Sequence, residues 1–393
     1  MTSPYGQGQV INYLIRLEKI GYKFDILSFE DPKKFKKLGT YIKELLDKNN
    51  IGWFPQKMHS KPPIISKIFD KILLQKTAER LHKKNKYDML HCRSYLAAEV
   101  ALKIKKATGV LFLFDMRGFW ADEKADGGSW NQKNWFWRKV YKFYKQKEKE
   151  FVRNSDFIIS LTNAGKEEIK KWSFYTCVPI AVIPCCADSN YFLATTTTKK
   201  VVARNNLDIP IECFVLSYLG SLGTWYMIDE MLLFFSELKK SKPSAVFLII
   251  TNSEPKIIIE KLPLYNLIIT DVKIITVLFK EVATFMYASD VNISFIKPVY
   301  SKMSSSPIKI GEILSMGIPI ISNSVGDMGK LFSEENIGIE VKDFSQISIE
   351  SAADKVNDLK DLLPEDIRSV AMKNFSLNKG VEKYAEVYKQ IFT

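Results

Sequence analysis

Histidine and cysteine are scarce, at three and five among 393 residues. The cysteines, Cys92, Cys177, Cys185, Cys186 and Cys213, are odd in number and lack zinc-ligand spacing. Reduced thiols are expected, with neither a disulfide frame nor a structural metal. No apolar run approaches the roughly 20 residues that span a bilayer. The opening MTSPYGQGQV has neither the charged start nor the apolar centre of a signal peptide. These absences predict a cytoplasmic protein. No Asp-x-Asp pair is present to hold a divalent ion, no internal repeat recurs, and no nucleic-acid-binding motif is found. Neither a metal nor a nucleic-acid partner is therefore expected.

Hydrophobic residues make up 46% of the chain, enough at this length to bury two ordinary domain cores. The net charge of +13 is uneven: residues 1–190 carry 35 Lys and Arg against 20 Asp and Glu, and the remainder 22 against 24. With no nucleic-acid motif beside it, this basic half reads as a surface for a phosphate-bearing acceptor or for an anionic leaflet. The second reading implies peripheral contact at the inner face of the plasma membrane. A lysine-rich solubilising surface is the alternative. In 131–153, Trp135, Phe136, Val140, Phe143 and Tyr144 stand among many lysines. Such a helix lies at a lipid interface or packs on a sheet through its aromatic side.

Short apolar runs alternate with helical periodicity along the chain. Strands are predicted at 24–29, 51–54, 87–92, 110–115, 156–161 and 178–184. They recur at 213–219, 245–251, 273–276, 290–295, after Pro319 and at 337–341. Strand–helix alternation implies parallel sheets covered on both faces. The fold class is α/β, with two Rossmann-like doubly wound domains facing across a cleft. Residues 1–188 form the first domain, 189–212 the connection, 213–375 the second domain and 376–393 a terminal helix. The glycine loop 4–9, with Gly6 and Gly8, leads into a helix with Val10, Leu14 and Leu17 inward. Only three residues precede this loop. Either a first strand is missing or translation begins upstream of Met1.

Ligands of parallel sheets gather at the carboxyl ends of strands. The strand 87–92 ends in His91 and Arg93, a placement suited to function, although a satisfied structural histidine is common there. The strand 110–115 empties into 116–128, a loop that collects Arg117, Asp122, Glu123 and Asp126. Arg117 suits a two-pronged contact to phosphate or carboxylate, and Asp122 or Glu123 suits sugar hydroxyls. A surface loop with ion pairs is the other reading. The turn 220–223, GSLG, offers backbone N–H groups at a predicted helix start, where a pyrophosphate binds well.

The most informative stretch is 304–327, SSSPIKIGEILSMGIPIISNSVGD. Ser306 is the expected N-cap and Pro307 the first helical residue, and Gly317 followed by Pro319 ends the helix. Lys309 and Glu312, three apart, can address one ligand. A cation in the first turn opposes the helix dipole and makes more sense beside an anion. A solvated Lys–Glu pair is the bland alternative.

Glu312, its short apolar helix, Gly317-x-Pro319 and the apolar strand that follows resemble the donor-binding signature of family-four glycosyltransferases, retaining enzymes of the GT-B fold. The resemblance implies that Glu312 binds the nucleotide ribose. Ser304 stands where a second glutamate usually contacts the donor sugar or its phosphate. Gly6, Gly8, Gly220, Ser221 and Lys309 are implied at the donor phosphates. His91 is implied to hydrogen-bond the donor sugar, with Arg93 and Arg117 in the catalytic group and Asp122 and Glu123 at the acceptor. The implied substrate is a nucleotide sugar, a UDP-sugar being favoured, with no cofactor or metal required. The implied acceptor is a saccharide or lipid-linked saccharide of a cell-surface polysaccharide. It would be bound by 1–188, with the donor held by 213–375 and the terminal helix crossing back to the first domain. Two alternatives are a catalytically weak nucleotide-sugar-binding partner subunit and a nucleotide-sugar epimerase of the same fold.

Overall fold

Twelve strands form where the apolar runs place them: β1 Asp25–Glu30, β2 Gly52–Lys57, β3 Met89–Arg93, β4 Leu111–Asp115, β5 Phe157–Ser160, β6 Ile180–Val182, β7 Val215–Leu219, β8 Val246–Ile250, β9 Val272–Ile275, β10 Val291–Ser294, β11 Ile320–Asn323 and β12 Gly338–Val341. The structure, a computed structural model, describes residues 1–393, the side chains of 63 and 64 excepted. All strand pairs are parallel, and helices fill the connections. The chain divides into two units, Met1–Pro184 with Gly380–Thr393, and Cys185–Lys379.

The second unit has one six-stranded sheet in the order β12-β11-β10-β7-β8-β9. Its strands are apolar on both faces, as parallel sheets covered by helices require. Along β8, Phe247 and Ile249 enter one core with Met231, Phe234 and Phe235, while Leu248 and Ile250 enter the other with Ile310, Ile313 and Leu314. The winding reverses between β7 and β10. At such a switch point the loops leaving adjacent strands diverge and open a crevice at their carboxyl ends.

Residues 189–212 differ from the expected connection. Phe192, Ala203, Leu207 and Ile209 are buried in a core of the second unit, and Thr197–Asn205 is a helix capped by Thr196. Apolar spacing within a polar composition is the reason. Arg204, 3% exposed, anchors this helix. Its guanidinium donates to the carbonyls of Ala288 at 3.1 Å, Cys213 at 2.9 Å and Ile211, and to Asp290 Oδ2 at 2.7 Å. Removing one member strands several buried acceptors. Arg204→Met is therefore expected to cost about 3–5 kcal/mol in urea unfolding.

The first unit carries a four-stranded sheet, β3-β4-β5-β6, and a separate pair, β1-β2. The expected glycine loop is helical. Ser3 caps Pro4–Gly6, a π-helical stretch follows over Gln7–Ile11, and Asn12–Glu18 continues as α-helix. Ser3 and Pro4 supply a start signal stronger than the two glycines can oppose. Gly6 and Gly8 thus lie within helical turns. The carboxyl-terminal helix Leu377–Phe392 brings Tyr388 against Phe24 and Tyr22 before β1 and against His91 on β3. Aromatic contacts therefore link the two sheets.

Candidate functional site

In the second unit, β7 ends in Gly220-Ser221-Leu222-Gly223. Gly220 and Gly223 have φ of +150° and +151°, in a region that side chains with a Cβ rarely adopt. Gly220 also lies directly against Lys309, so that an added Cβ would have to displace its Nζ. The helix carrying Lys309 is Ile308–Ser315, capped by the backbone of Pro307. Ser306 is therefore not the cap; its hydroxyl accepts from the Cys185 amide at 3.3 Å. The helix after the glycine turn starts at Ile228, later than predicted, because Tyr226 is held in bridges to Gly223 and Ile296. The turn thus does not open a helix, and one of its amides, Leu222 N, is taken by Ser253 Oγ at 2.8 Å.

Lys309 Nζ is buried and has no hydrogen-bond partner among the described residues. It lies 3.7 Å from the Tyr226 ring centroid and 5.1 Å from that of Tyr218, which supply a cation–π field but no acceptor. Burial pushes the ammonium down to about 7, opposed by the charge of Glu312. Glu312 is 5% exposed, and burial pushes its carboxyl up to about 7, opposed by Lys309. The two charged forms are costly here because neither is solvated and no close partner completes either. An anion beside Lys309 would restore its proton. Lys302, 3.8 Å above the Trp225 ring centroid, is a second cation of this region.

Ser221 is exposed, and its carbonyl accepts from Tyr218 Oη at 2.7 Å. Ser304 is held within its own helical turn. It is 1% exposed, ends the short helix Tyr300–Ser304, and donates its hydroxyl to the Ser301 carbonyl at 3.0 Å. A serine is too short to project where a glutamate would reach, and the helical turn supplies a carbonyl instead.

In the first unit, His91, Arg93 and Arg117 converge on a residue that sequence reasoning missed. Asp115 is fully buried at the end of β4. Its Oδ2 lies 3.3 Å from Arg93 Nη1 and 3.4 Å from His91 Nε2, and accepts from Tyr384 Oη at 3.0 Å. Its Oδ1 lies 3.6 Å from Arg117 Nη1. Burial alone would raise the carboxyl, but Arg117, Arg93 and the His91 contact outweigh it and hold the group well below the usual carboxylate range. Tyr388 Oη is 2.9 Å from His91 Nδ1. Both ring nitrogens are thus engaged, Nδ1 with the Tyr388 hydroxyl and Nε2 with the Asp115 carboxylate. Tyr5 Oη accepts from Arg93 Nη2 at 3.1 Å. The strand-end logic that singled out His91 also applies to Asp115. Tyr384 and Tyr388, nearly 300 residues away, belong to the apolar stripe of the terminal helix that the resemblance returns to the first domain, but nothing in that stripe pointed to His91 or Asp115.

Asp122 and Glu123 are not in an open loop. They lie in the helix Trp120–Asp126. Asp122 is 6% exposed and accepts from Tyr141 Oη at 2.8 Å and Lys145 Nζ at 2.9 Å. Each of its carboxylate oxygens is thereby engaged within the first unit. Ala121, Glu123, Lys124 and Ala125 favour helix, and Asp122 and Glu123 in the first turn complement its dipole. No cluster of three or more His, Cys, Asp or Glu able to hold a metal occurs among the described residues.

Comparison with known proteins bears on both units. Residues 5–191 match the family model of Glycosyltransferase Family 4. Sucrose-phosphate synthase from Thermosynechococcus elongatus is similar in structure, with a TM-score of 0.67 and 14% identity over 94% of this chain and 99% of that one. A glycosyltransferase from Rickettsia africae gives 0.66 and 19%, over 94% and 99%. Anabaena HepE in complex with UDP gives 0.70 and 12%, over 94% and 100%. No curated protein matches significantly in sequence. The fold is therefore the GT-B arrangement of two Rossmann-like units.

Proposed function

We propose that the protein is a retaining glycosyltransferase that moves a sugar from a nucleotide donor to a saccharide or lipid-linked saccharide acceptor in cell-surface polysaccharide synthesis. The observation that carries this reading is the buried, unpartnered Lys309 ammonium against the Gly220 turn at the switch point of the second unit. Departure of a nucleoside diphosphate places negative charge on the leaving group, and a preorganised cation and backbone N–H groups are what that step requires. Lys309 and the Gly220–Ser221 segment take the diphosphate, and Glu312 accepts hydrogen bonds from the ribose diol. A UDP-sugar is favoured, since Anabaena HepE is described in complexes with UDP and with UDP-glucose. In the first unit, His91, Arg93 and Arg117 form the group proposed to serve sugar and acceptor, oriented by Asp115. The assignment needs no metal, since the cations of the chain supply the charge.

Calorimetric titration with UDP, GDP and ADP, without added metal, tests the donor site. One nucleotide is expected to bind, and Glu312→Ala to weaken it by about ten- to a hundredfold, the loss of hydrogen bonds to a charged acceptor. Unchanged affinity in folded Glu312→Ala would overturn the ribose assignment.

A second reading, a nucleotide-sugar-binding partner subunit with weak catalysis, is favoured by the inward hydroxyl of Ser304 and by the double engagement of His91. Donor hydrolysis or transfer by the pure protein, lost in His91→Ala while nucleotide binding persists, excludes it. Interconversion of free nucleotide sugars without acceptor would instead assign an epimerase.

A further inference from the structure

The N-terminal half of the helix Pro63–Asn85 turns an apolar stripe outward, while Leu74, Ala78 and Leu81 further along face inward. Ile65, Ile68, Phe69 and Ile72 are 49–64% exposed, whereas Ser66, Asp70 and Thr77 are buried. Their spacing of three, four and seven puts the apolar four on one stripe. An ordinary amphipathic helix would present the reverse. Leu96 is 46% exposed on the helix Ser94–Thr108. On the helix Trp135–Asn154, Trp135, Phe136 and Phe143 are exposed along one side, while Trp137 and Tyr144 stack inward on Trp130. The three helices meet at Lys71. Its Nζ pairs with Glu99 at 2.5 Å and lies 5.8 Å from the Phe143 ring centroid. The exposed apolar residues therefore share one surface of the first unit.

The charge around them has one sign. Residues 63–85 and 135–154 hold thirteen Lys and Arg against four Asp and Glu. Those acids are turned in or already bonded: Asp70 is buried against His59 and Glu148 against Lys145, Glu150 pairs with Lys147, and Glu79 accepts from Gln75. Lys67, Lys76, Arg138, Lys139 and Lys142 remain exposed beside the apolar side chains, and Lys139 Nζ sits 5.0 Å from the Trp135 ring centroid. A second copy docked on this surface would oppose one cationic ring to another.

We propose that this surface adsorbs to an anionic lipid bilayer. Ile65, Ile68, Phe69, Ile72, Phe136 and Phe143 enter the headgroup–acyl boundary, and the lysines pair with headgroup phosphates. No helix among the described residues is long and apolar enough to cross a membrane, so this is a surface attachment. It is independent of the donor site.

Sedimentation of the full chain with phosphatidylcholine vesicles, with and without phosphatidylglycerol, tests the proposal. Binding to the anionic vesicles, weakened about tenfold or more by high salt, is expected. The triple variant Ile68→Ser, Phe69→Ser, Phe143→Ser should lose about tenfold or more in partitioning while its thermal transition stays in place. The exposed pair Lys139→Glu, Lys142→Glu should do likewise, and serves if the triple variant fails to fold. Equal binding to neutral vesicles, or wild-type partitioning in the folded charge pair, overturns it. So does a wild-type dimer in light scattering that the triple variant abolishes, since the surface then belongs to a second copy.

Discussion

Lys309→Met should weaken binding of the donor nucleotide at pH 7 by on the order of a hundredfold, about 3 kcal/mol, with little loss of stability. The small effect on stability follows from the site itself. An unpartnered buried ammonium costs free energy in the empty protein, and a thioether of similar length in the same aromatic slot does not. The pH dependence is the sharper signature. With Lys309 near 7 in the free protein, the arriving diphosphate favours the charged ammonium and raises its pKa. Binding therefore takes up a proton above pH 7, and Kd should rise by about tenfold per pH unit until the raised value is reached. Below pH 7 the limb belongs to Glu312, whose protonation removes the acceptor for the ribose. The two limbs describe the pair together. Calorimetry in buffers of different ionisation enthalpy at pH 8 measures the proton uptake directly. An alkaline limb that survives in Lys309→Met would assign it to another group.

The second large effect is on stability. Asp115→Asn keeps the shape of a fully buried side chain but leaves Arg93 and Arg117 beside one another without their counter-charge. A loss of about 3–5 kcal/mol is expected from urea unfolding. The folded-state pKa of Asp115 lies below its unfolded value near 3.9. Its contribution is thus fully present above about pH 4 and is lost as pH falls through the folded value. Wild type should lose stability toward pH 2 more steeply than Asp115→Asn. Parallel stability curves for the two proteins would show that the carboxylate carries no net ionic contribution.

Strand positions, the parallel sheets and the Lys309–Glu312 pair were legible because they depend on local pattern. A run such as VFLII in β8 can be buried on both faces only in a covered parallel sheet. A cation and an acid three apart on a helix share a side whatever surrounds them. Helix starts were less legible. Ser3-Pro4 overrode Gly6 and Gly8, the bridges of Tyr226 delayed the helix after Gly223, and Pro307 rather than Ser306 became the cap. The first of these signals is local, and the cap outweighs the glycines; in the other two the deciding partners, Ile296 and Cys185, lie far from the segment in sequence.

The sequence by itself determined where the strands lie, that they pair in parallel and where the charge lies, because each follows from periodicity and composition over a few residues. Only the tertiary structure decided what those side chains meet. It buried Asp115 under His91, Arg93 and Arg117, and brought Tyr384 and Tyr388 to them from the far end of the chain. It left Lys309 Nζ unpartnered and turned the apolar stripe of Pro63–Asn85 to the surface. Desolvation and pairing depend on contacts between residues distant in sequence, and no local pattern encodes them.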